Sequence, residues 1–378
     1  MSNNRSEIEQ ILTARFNFRY NEITNKVEYR RRSVTNFTEL TDYQLNSILR
    51  DVNSNLRKCI TKKELTDLLN SNFTKIYNPF REYFENLEPW VEGMPDYIQE
   101  LANTVIVPEN EQENWNQWFK KWMIATIACA IDDTQINQQV LIFAGAQGIG
   151  KTTWMHKLCP NSLKKYYYGG NINPGNKDTE IQLTENILIN LDELENLNRK
   201  DINSLKEIIT KPSIKIRRPY GTVAETLPRR ASFMGSVNNM EFLRDNTGTR
   251  RFLCFNALSI NHNHTVDLDL VFAQALYLYG ENCKFWFDGS EIQEINAHNE
   301  KYTVIPLEQE ILEKYYRPAL ANEIPDKELE TSDLLNDLYT KSDISKRLSP
   351  KGLGSTLTKL NWPKRKTGGR RKWLICDR

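Results

Sequence analysis

Apolar residues recur with a helical period along much of residues 1–105. They fall on i, i+3, i+4 patterns: Leu40, Leu45, Ile48, Leu49 and Val52, then Leu65, Leu68 and Leu69. Residues 16–29 instead alternate around an Asn-containing turn, which predicts a β-hairpin. We therefore predict that residues 1–105 form a mostly helical N-terminal domain.

A second apolar stretch has the period of one long helix. Its members are bulky: Trp115, Trp118, Phe119, Trp122, Met123, Ile127 and Cys129. This face predicts a core helix packed beside the domain that follows. The longest apolar run, residues 122–131, is too short to cross a bilayer, and the N-terminus has no signal-peptide pattern. We expect a soluble, cytoplasmic protein without membrane contact.

From residue 139 onward, short apolar runs alternate with helical stretches, which predicts an α/β sheet in residues 106–290. The predicted strands are residues 140–143, 186–192, 231–238 and 251–255. After residue 290 the pattern fades into a helical connector, residues 291–330. Residues 331–378 predict three helices and a hairpin, at 333–339, 344–348, 351–360 and around 367–369. That order is typical of a winged helix-turn-helix.

Charge is distributed unevenly along the chain. The chain holds 50 Lys and Arg against 49 Asp and Glu, for a net charge of +1. Residues 341–378 nevertheless hold twelve Lys or Arg against two Asp, and residues 211–230 hold six against one Glu. Two basic zones on an acidic body are suited to polyphosphate binding, although either zone could be a solvated surface.

Cysteine and histidine spacing gives no metal motif. The six cysteines include no C-x-x-C pair, and the four histidines lie at no zinc-ligand spacing from them. His262 and His264 lie in an Asn-rich segment without a nearby carboxylate or cysteine motif. We expect reduced thiols and no zinc site.

The strongest chemical signal is the P-loop motif, G-x-x-x-x-G-K-T, at residues 145–152. It follows an apolar strand and precedes a helix. In this pattern backbone N–H groups surround a phosphate, Lys151 bridges the β- and γ-phosphates, and the Thr152 hydroxyl ligands Mg²⁺. We expect ATP and Mg²⁺ as cofactors. The residues expected to bind ATP are Gly145, Gln147, Gly148, Gly150, Lys151, Thr152 and Thr153.

Two carboxylates end the second predicted strand. Asp192 and Glu193 lie 41 residues beyond Lys151, a spacing that allows their strand to lie beside the P-loop strand. Asp192 would hold Mg²⁺, and Glu193 would orient or deprotonate the attacking water. A kinase does not need the second carboxylate, so the pair favours ATP hydrolysis. The alternative is that these carboxylates only cap the next helix.

The third strand ends at Asn238, whose amide can reach a γ-phosphate or the attacking water. Arg250 and Arg251 follow, and an arginine there is suited to stabilise transition-state charge, supplied by an adjacent subunit if the protein forms a ring. The alternative for the arginines is a surface pair or an ion pair with a carboxylate.

In order and spacing, these residues resemble the Walker A, Walker B, B′, C and arginine-finger elements of superfamily 3 helicases, a branch of AAA+ P-loop ATPases. Further stretches are similar to the virulence-associated protein E family of phage, plasmid and genomic-island proteins: residues 206–211, 217–220, 230–233, 236–238 and 242–252. The resemblance covers about residues 75–290. It implies a helicase-like ATPase that forms a hexamer. Relatives often carry a primase domain, for which residues 1–105 are too short, so a separate primase is expected.

The resemblance also implies a hairpin that projects into the ring channel between the second and third strands. Single-stranded DNA would contact it through Lys215, Arg217, Arg218 and Tyr220. The alternative is that Arg217 and Arg218 form ion pairs with the acidic Walker B helix of a neighbouring subunit. In the winged helix, the cations expected to bind duplex DNA are Lys351, Lys359, Lys364, Arg365, Lys366, Arg370, Arg371 and Lys372, with Ser355 and Thr356 on the same predicted helix as Lys351 and Lys359. Winged helices also dock proteins.

Three functions fit these motifs. The leading hypothesis is an ATP-dependent DNA helicase or translocase. The second is an origin-recognition or DNA-binding switch that uses ATP only to assemble. The third is an antiviral defence ATPase.

Overall fold

The computed structural model describes residues 2–173, 176–191, 194, 199–218, 223–243, 248–342 and 348–378. Contacts divide the chain into two compact units, Met1–Lys301 and Tyr302–Arg378. The boundary falls inside the stretch predicted as a helical connector, because the helix before it packs within the first unit and the helix after it packs within the second. The division into four domains stays a prediction.

The amino-terminal part of the first unit combines helices with short strands. In chain order these are α1 Ser2–Arg15, β1 Phe16–Asn21, β2 Lys26–Arg31, β3 Thr38–Glu39, α2 Asp42–Asn53, α3 Lys62–Leu69, β4 Lys75–Tyr77, α4 Pro79–Glu85, α5 Tyr97–Ala102 and β5 Val105–Ile106. The predicted hairpin is confirmed as β1 and β2. It belongs to a four-stranded sheet, β3-β2-β1-β4, that the prediction of a mostly helical domain missed. Strands of two and three residues are too short for alternation to be recognised.

Local signals set the starts of α2 and α3. Thr41 and Thr61 accept hydrogen bonds from the backbone N–H groups of Gln44 and Glu64, whose side chains accept in return, so each helix begins at a capping box. The inward faces of both helices join α1 and β1 in a hydrophobic core of their own.

The remainder of the first unit is built on a parallel sheet. Its elements are α6 Gln112–Ile131, β6 Val140–Ala144, α7 Lys151–Lys157, β7 Tyr167–Gly170, α8 Lys177–Glu185, β8 Leu188–Leu191, α9 Arg199–Thr210, β9 Ser213–Ile216, β10 Glu225–Pro228, β11 Ser232–Val237, β12 Phe252–Asn256, β13 Ser259–Ile260, α10 Leu268–Gly280 and α11 Gly289–Asn299. Five strands pair in parallel in the order β12-β6-β11-β8-β7. All four predicted strands lie in this sheet. The spacing allowed β8 to lie beside β6, but the two strands are not neighbours, because β11 pairs with both and separates them.

The long helix α6 covers one face of the sheet with aromatic rings. The Trp115 ring lies 5.4 Å from Phe143 on β6 and 5.1 Å from Phe255 on β12, and it stacks on Phe119 at 4.7 Å. The predicted core helix is therefore confirmed. Although α6 is the longest helix, neither it nor any other helix in the described ranges is long and apolar enough to cross a membrane.

In the part of the second unit that the structure describes, three helices pack with a small antiparallel sheet. Its elements are α12 Leu307–Tyr315, β14 Tyr316–Pro318, β15 Lys327–Leu329, α13 Thr331–Lys341, α14 Pro350–Lys359, β16 Lys364–Thr367 and β17 Arg370–Asp377. β17 pairs antiparallel with the other three strands, and the helices pack in one core with Trp362 and Trp373. Two of the predicted helices are present as α13 and α14, and the predicted hairpin as β16 and β17. The helix predicted at 344–348 lies outside the described residues, apart from Leu348.

The Trp115→Ala substitution tests the seam between α6 and the sheet. Trp115 is completely buried, so its removal leaves a cavity and should lower the free energy of unfolding by about 3–5 kcal/mol. Trp286→Ala, at a side chain that is 56% exposed, is the matched control and should cost less than about 1 kcal/mol. Urea unfolding followed by circular dichroism measures both, and equal losses would contradict the assignment of α6 to the core.

Candidate active site

The loop between β6 and α7 depends on glycine. Gly145, Gly148 and Gly150 have φ values of 152°, 86° and 93°, a region that other residues rarely adopt. A Cβ atom on Gly145 would lie 2.5 Å from the carbonyl oxygen of Ala257, whose N–H donates to Ala144 O. Segment 257–262 therefore packs directly behind the loop.

The side chain of Lys151 is buried and its ammonium lies inside the curve of the loop. It donates to the carbonyl oxygens of Gly145 and Ala146, both at 2.8 Å, and to Oδ1 of Asn238 at 3.1 Å. Sheet register brings the asparagine there, because Val237 on β11 pairs with Ala144 on β6 and Asn238 follows directly. Asn238 and the P-loop lysine, which are 87 residues apart, thus meet at the carboxyl edge of the sheet.

Hydroxyl groups lie at the same edge. The Oγ1 atom of Thr152, at the start of α7, is 3.4 Å from the Oγ atom of Ser236 on β11. β8 approaches this edge too, since its last residue, Leu191, pairs with Gly235. Oxygen ligands suit Mg²⁺, so Thr152 fits the expected metal role. Asp192 and Glu193 lie outside the described residues, while Gln147 and Thr153 are exposed beside the loop.

The arginine pair lies at the opposite edge of the sheet. Phe252, the first residue of β12, pairs with Val140 at the amino end of β6, and Arg250 and Arg251 come just before it. The P-loop follows the carboxyl end of β6. Five strand residues at about 3.3 Å each separate the two groups by roughly 16 Å. Within one protomer, the arginines do not reach the P-loop.

The two arginines differ in their surroundings. Arg250 is exposed and Arg251 is half-buried, and both line two cavities of about 650 Å³ and 570 Å³. Burial, reinforced by the charge of Arg250, lowers the pKa of the Arg251 guanidinium. Gly248 has a φ of 75°, and a Cβ there would lie 2.6 Å from Nη1 of Arg251. A glycine is therefore required for Arg251 to pack where it does.

A β-hairpin forms between β8 and β11 from strands β9 and β10. Its side chains alternate, so that Lys215 and Arg217 are exposed while Ile214 and Ile216 are buried. Tyr220 lies outside the described residues.

Arg218 contradicts the expectation of an open DNA contact. Its guanidinium forms an ion pair with Glu185 on α8 and donates to the carbonyl oxygens of Ile23 at 3.1 Å and Thr24 at 3.4 Å. The guanidinium is thus used to attach the hairpin base to the β1–β2 turn. Arg218 does form an ion pair, but its partner lies on α8 of the same chain and not on a helix of a neighbouring subunit.

In the second unit, most of the predicted DNA-binding cations are exposed. Lys351 and Lys359 on α14 are exposed, but Thr356 is buried, because its face of the helix packs in the core. Lys364, Arg365, Lys366, Arg370 and Arg371 are exposed on the β16–β17 hairpin, and Lys372 is half-buried. Two of the arginines form ion pairs, Arg365 with Glu328 and Arg370 with Glu330.

Two groups beside these sites were not predicted from sequence. The ring of His262 packs against Gly150, where a Cβ would lie 2.5 Å from its Nδ1 atom. Asn299, at the end of α11, contacts the turn that carries the arginines. Neither residue lies in a recognisable motif. His262 and His264 also belong to no group of three or more potential metal ligands within the described ranges.

The chain is similar to one protein family and to solved structures of one protein region. The family model for the virulence-associated protein E-like domain matches residues 90–304. Among solved structures, the apo structure of the NrS-1 C-terminal region (305–718) matches with a TM-score of 0.50 at 14% identity, covering 98% of this chain and 98% of that chain. The A-form apo structure of the same region has a TM-score of 0.46 at 14% identity, with 98% and 99% coverage. A search of curated proteins gave no match. The first structure shares the mixed α/β fold with its parallel sheet.

Alanine at two loop glycines tests the packing of the P-loop. Gly148→Ala should cost only the strain of a positive φ, about 1–3 kcal/mol, because no atom of the described residues lies within 4 Å of its Cβ. Gly150→Ala carries the same strain and also meets His262, which should cost about 1–3 kcal/mol more. Thermal unfolding of both variants measures the difference. If Gly150→Ala were no less stable than Gly148→Ala, the placement of His262 would be wrong.

Proposed function

The chain belongs to the virulence-associated protein E-like family, and on that premise we propose that it is an ATP-dependent DNA helicase or translocase. It would act as a ring of identical subunits, a hexamer by resemblance, in the replication of a mobile genetic element. Priming would come from a separate protein.

One observation supports this proposal most directly: Lys151 and Arg250 lie at opposite edges of one parallel sheet. A P-loop needs a cation against the charge that develops on the transferred phosphoryl group. Arg250 cannot supply it to the P-loop of its own protomer. When identical subunits pack head to tail, the amino edge of one sheet approaches the carboxyl edge of the next, and Arg250 then serves a neighbouring P-loop.

Each side chain at the P-loop has a separate task. Lys151 would exchange its bonds to the loop carbonyls for bonds to the phosphates, while Asn238 keeps the lysine directed and contacts the γ-phosphate. Glu193 would accept a proton from the attacking water, and Thr152 and Asp192 would hold the metal. Bound Mg²⁺ would neutralise phosphate charge. Arg250, from the adjacent subunit, would stabilise the transition state.

DNA would contact two surfaces. Exposed Lys215 and Arg217, together with Tyr220, would follow the backbone of single-stranded DNA inside the ring. Arg218 is left out of this set because of its ion pair. The second unit would act as a winged helix, and its β16–β17 hairpin would hold duplex DNA.

The shared site predicts complementation between two inactive proteins. Lys151→Ala should abolish ATP hydrolysis, and Arg250→Ala should lower kcat by roughly a thousandfold or more. Mixing the two should restore part of the activity, because an intact P-loop then meets an intact arginine at some interfaces. The measurement is phosphate release at constant total protein. If both variants remain oligomeric and the mixture stays inactive, the arginine does not act in trans.

Strand displacement separates a helicase from an ATP-regulated DNA-binding protein. Wild-type protein should unwind a forked DNA with a labelled strand when ATP is added, and the Lys151→Ala variant should not. Assembly and ATP hydrolysis without displacement would support the assembly switch and reject the helicase.

Charge placement on the β16–β17 hairpin predicts which cations bind duplex DNA. Lys366 and Arg371 face each other in the strand register, a repulsive arrangement that a phosphate between them would relieve. The double variant Lys366→Ala/Arg371→Ala should weaken duplex binding and reduce the slope of log K against log salt by about 2.

The matched control is Arg365→Ala/Arg370→Ala, which removes the same charge from the same hairpin. These arginines already pair with Glu328 and Glu330, so the salt slope should change less. Fluorescence anisotropy of a labelled duplex at several salt concentrations measures both, and equal slopes would contradict the assignment.

A further inference from the structure

The turn that carries the arginine pair is held by the end of α11. The side-chain amide of Asn299 donates to the carbonyl oxygens of Thr249 at 3.0 Å and Phe252 at 2.7 Å. These two carbonyls lie on either side of Arg250 and Arg251. One amide group thus fixes both ends of the short segment from which the arginines project.

Neighbouring residues of α11 support the same segment. The hydroxyl of Thr249 donates to Oδ1 of Asn296 at 2.7 Å, and Nε2 of His298 lies 2.7 Å from the carbonyl oxygen of Cys254 on β12. The last turn of α11 therefore contacts the segment that runs from Thr249 to Cys254, where the arginine turn leads into β12.

The helix α11 is itself fixed to the core. Asp288 and Glu291 form a capping box at its start, and Glu291 forms an ion pair with Lys121 on α6. The buried helix α6, the helix α11 and the arginine turn are thus joined by direct contacts. A rigid support of this kind is what a transition-state contact requires, because small displacements at a reacting centre reduce rates strongly.

Asn299 has the properties of a positioning residue. It is completely buried, and its side-chain amide donates to two backbone carbonyl oxygens, so these contacts hold the backbone of the turn in place. Arg251 packs inward beside Gly248, which leaves the exposed Arg250 to project from the turn.

We propose that Asn299 positions Arg250 for the ATP site of the adjacent subunit by holding the Thr249 and Phe252 carbonyls. This inference rests on the proposed function, in which the arginine acts in trans. The residue acts through the backbone and touches neither ATP nor the attacking water.

The first measurement is steady-state ATP hydrolysis by the full chain carrying Asn299→Ala. Loss of the amide should lower kcat by roughly tenfold to a hundredfold with KM changed by less than about twofold, because the P-loop that binds ATP is untouched. Gln293→Ala, at an exposed position of the same helix, is the control and should retain wild-type kcat.

Mixing distinguishes positioning from a general structural defect. Asn299→Ala combined with Lys151→Ala should regain activity, because the Asn299→Ala subunit still has an intact P-loop and the Lys151→Ala subunit has a correctly held arginine. Asn299→Ala combined with Arg250→Ala should show no gain over the average of the two separate rates, because neither subunit supplies a correctly held arginine. If the mixture with Lys151→Ala stays inactive while Arg250→Ala is rescued by the same partner, the proposal is overturned.

Two further outcomes are decisive. If Asn299→Ala has the wild-type kcat while Arg250→Ala, measured separately, is inactive, only the positioning role is overturned. If Arg250→Ala itself has the wild-type kcat, both the shared site and the positioning role are overturned. If Asn299→Ala does not fold, Asn299→Ser keeps a polar side chain at this position but is too short to contact both carbonyl oxygens. It should lower kcat severalfold with the same rescue pattern, and unchanged activity there would reject the proposal.

Discussion

Parallel pairing of β12 with β6 is the constraint on which the rest of the site depends. The pairing aligns Phe252 with Val140 and Asn256 with Ala144, so the residues before β12 and the residues after β6 lie at opposite edges of the sheet. It therefore fixes the distance between Arg250 and the P-loop. Pairing of β11 with β6 instead brings two groups together, because its register places Asn238 beside Lys151. One sheet thus holds Lys151 and Asn238 at one edge and Arg250 at the other, which is the arrangement that the proposed shared ATP site requires.

The elements around the sheet keep these two edges rigid. Rings on α6 pack on β6 and β12, the two strands that connect the edges. The same helix contacts α11 through Lys121, and α11 holds the arginine turn. On the other side, Arg218 attaches the hairpin base to the N-terminal sheet and to α8. The turn of the N-terminal sheet, for which no function was predicted, thus contacts the base of the hairpin that we propose to bind DNA.

Sequence reasoning succeeded where the signal is local. The four strand segments, the long aromatic helix and the glycine loop follow from short-range patterns, and the family resemblance agrees with the matched family model. It failed where contacts are distant. The insertion of β11 between β6 and β8 depends on pairing that no spacing reveals, and β7 has the sequence Tyr-Tyr-Gly-Gly, which lacks an apolar run. Arg218 resembled a DNA-binding residue because its partner, Glu185, is 33 residues away. Asn299 is an ordinary residue for a helix end, and only the fold places it beside the arginine turn.

The central claim is that one protomer contains only part of a working ATP site. The most direct test compares the wild-type rate of ATP hydrolysis per chain with the fraction of oligomer, measured by light scattering on the same samples during dilution. The account predicts that the rate per chain falls in proportion to the oligomer and approaches zero for the monomer, because a monomer has no neighbouring Arg250. A rate per chain that stays constant as the protein becomes monomeric would contradict it.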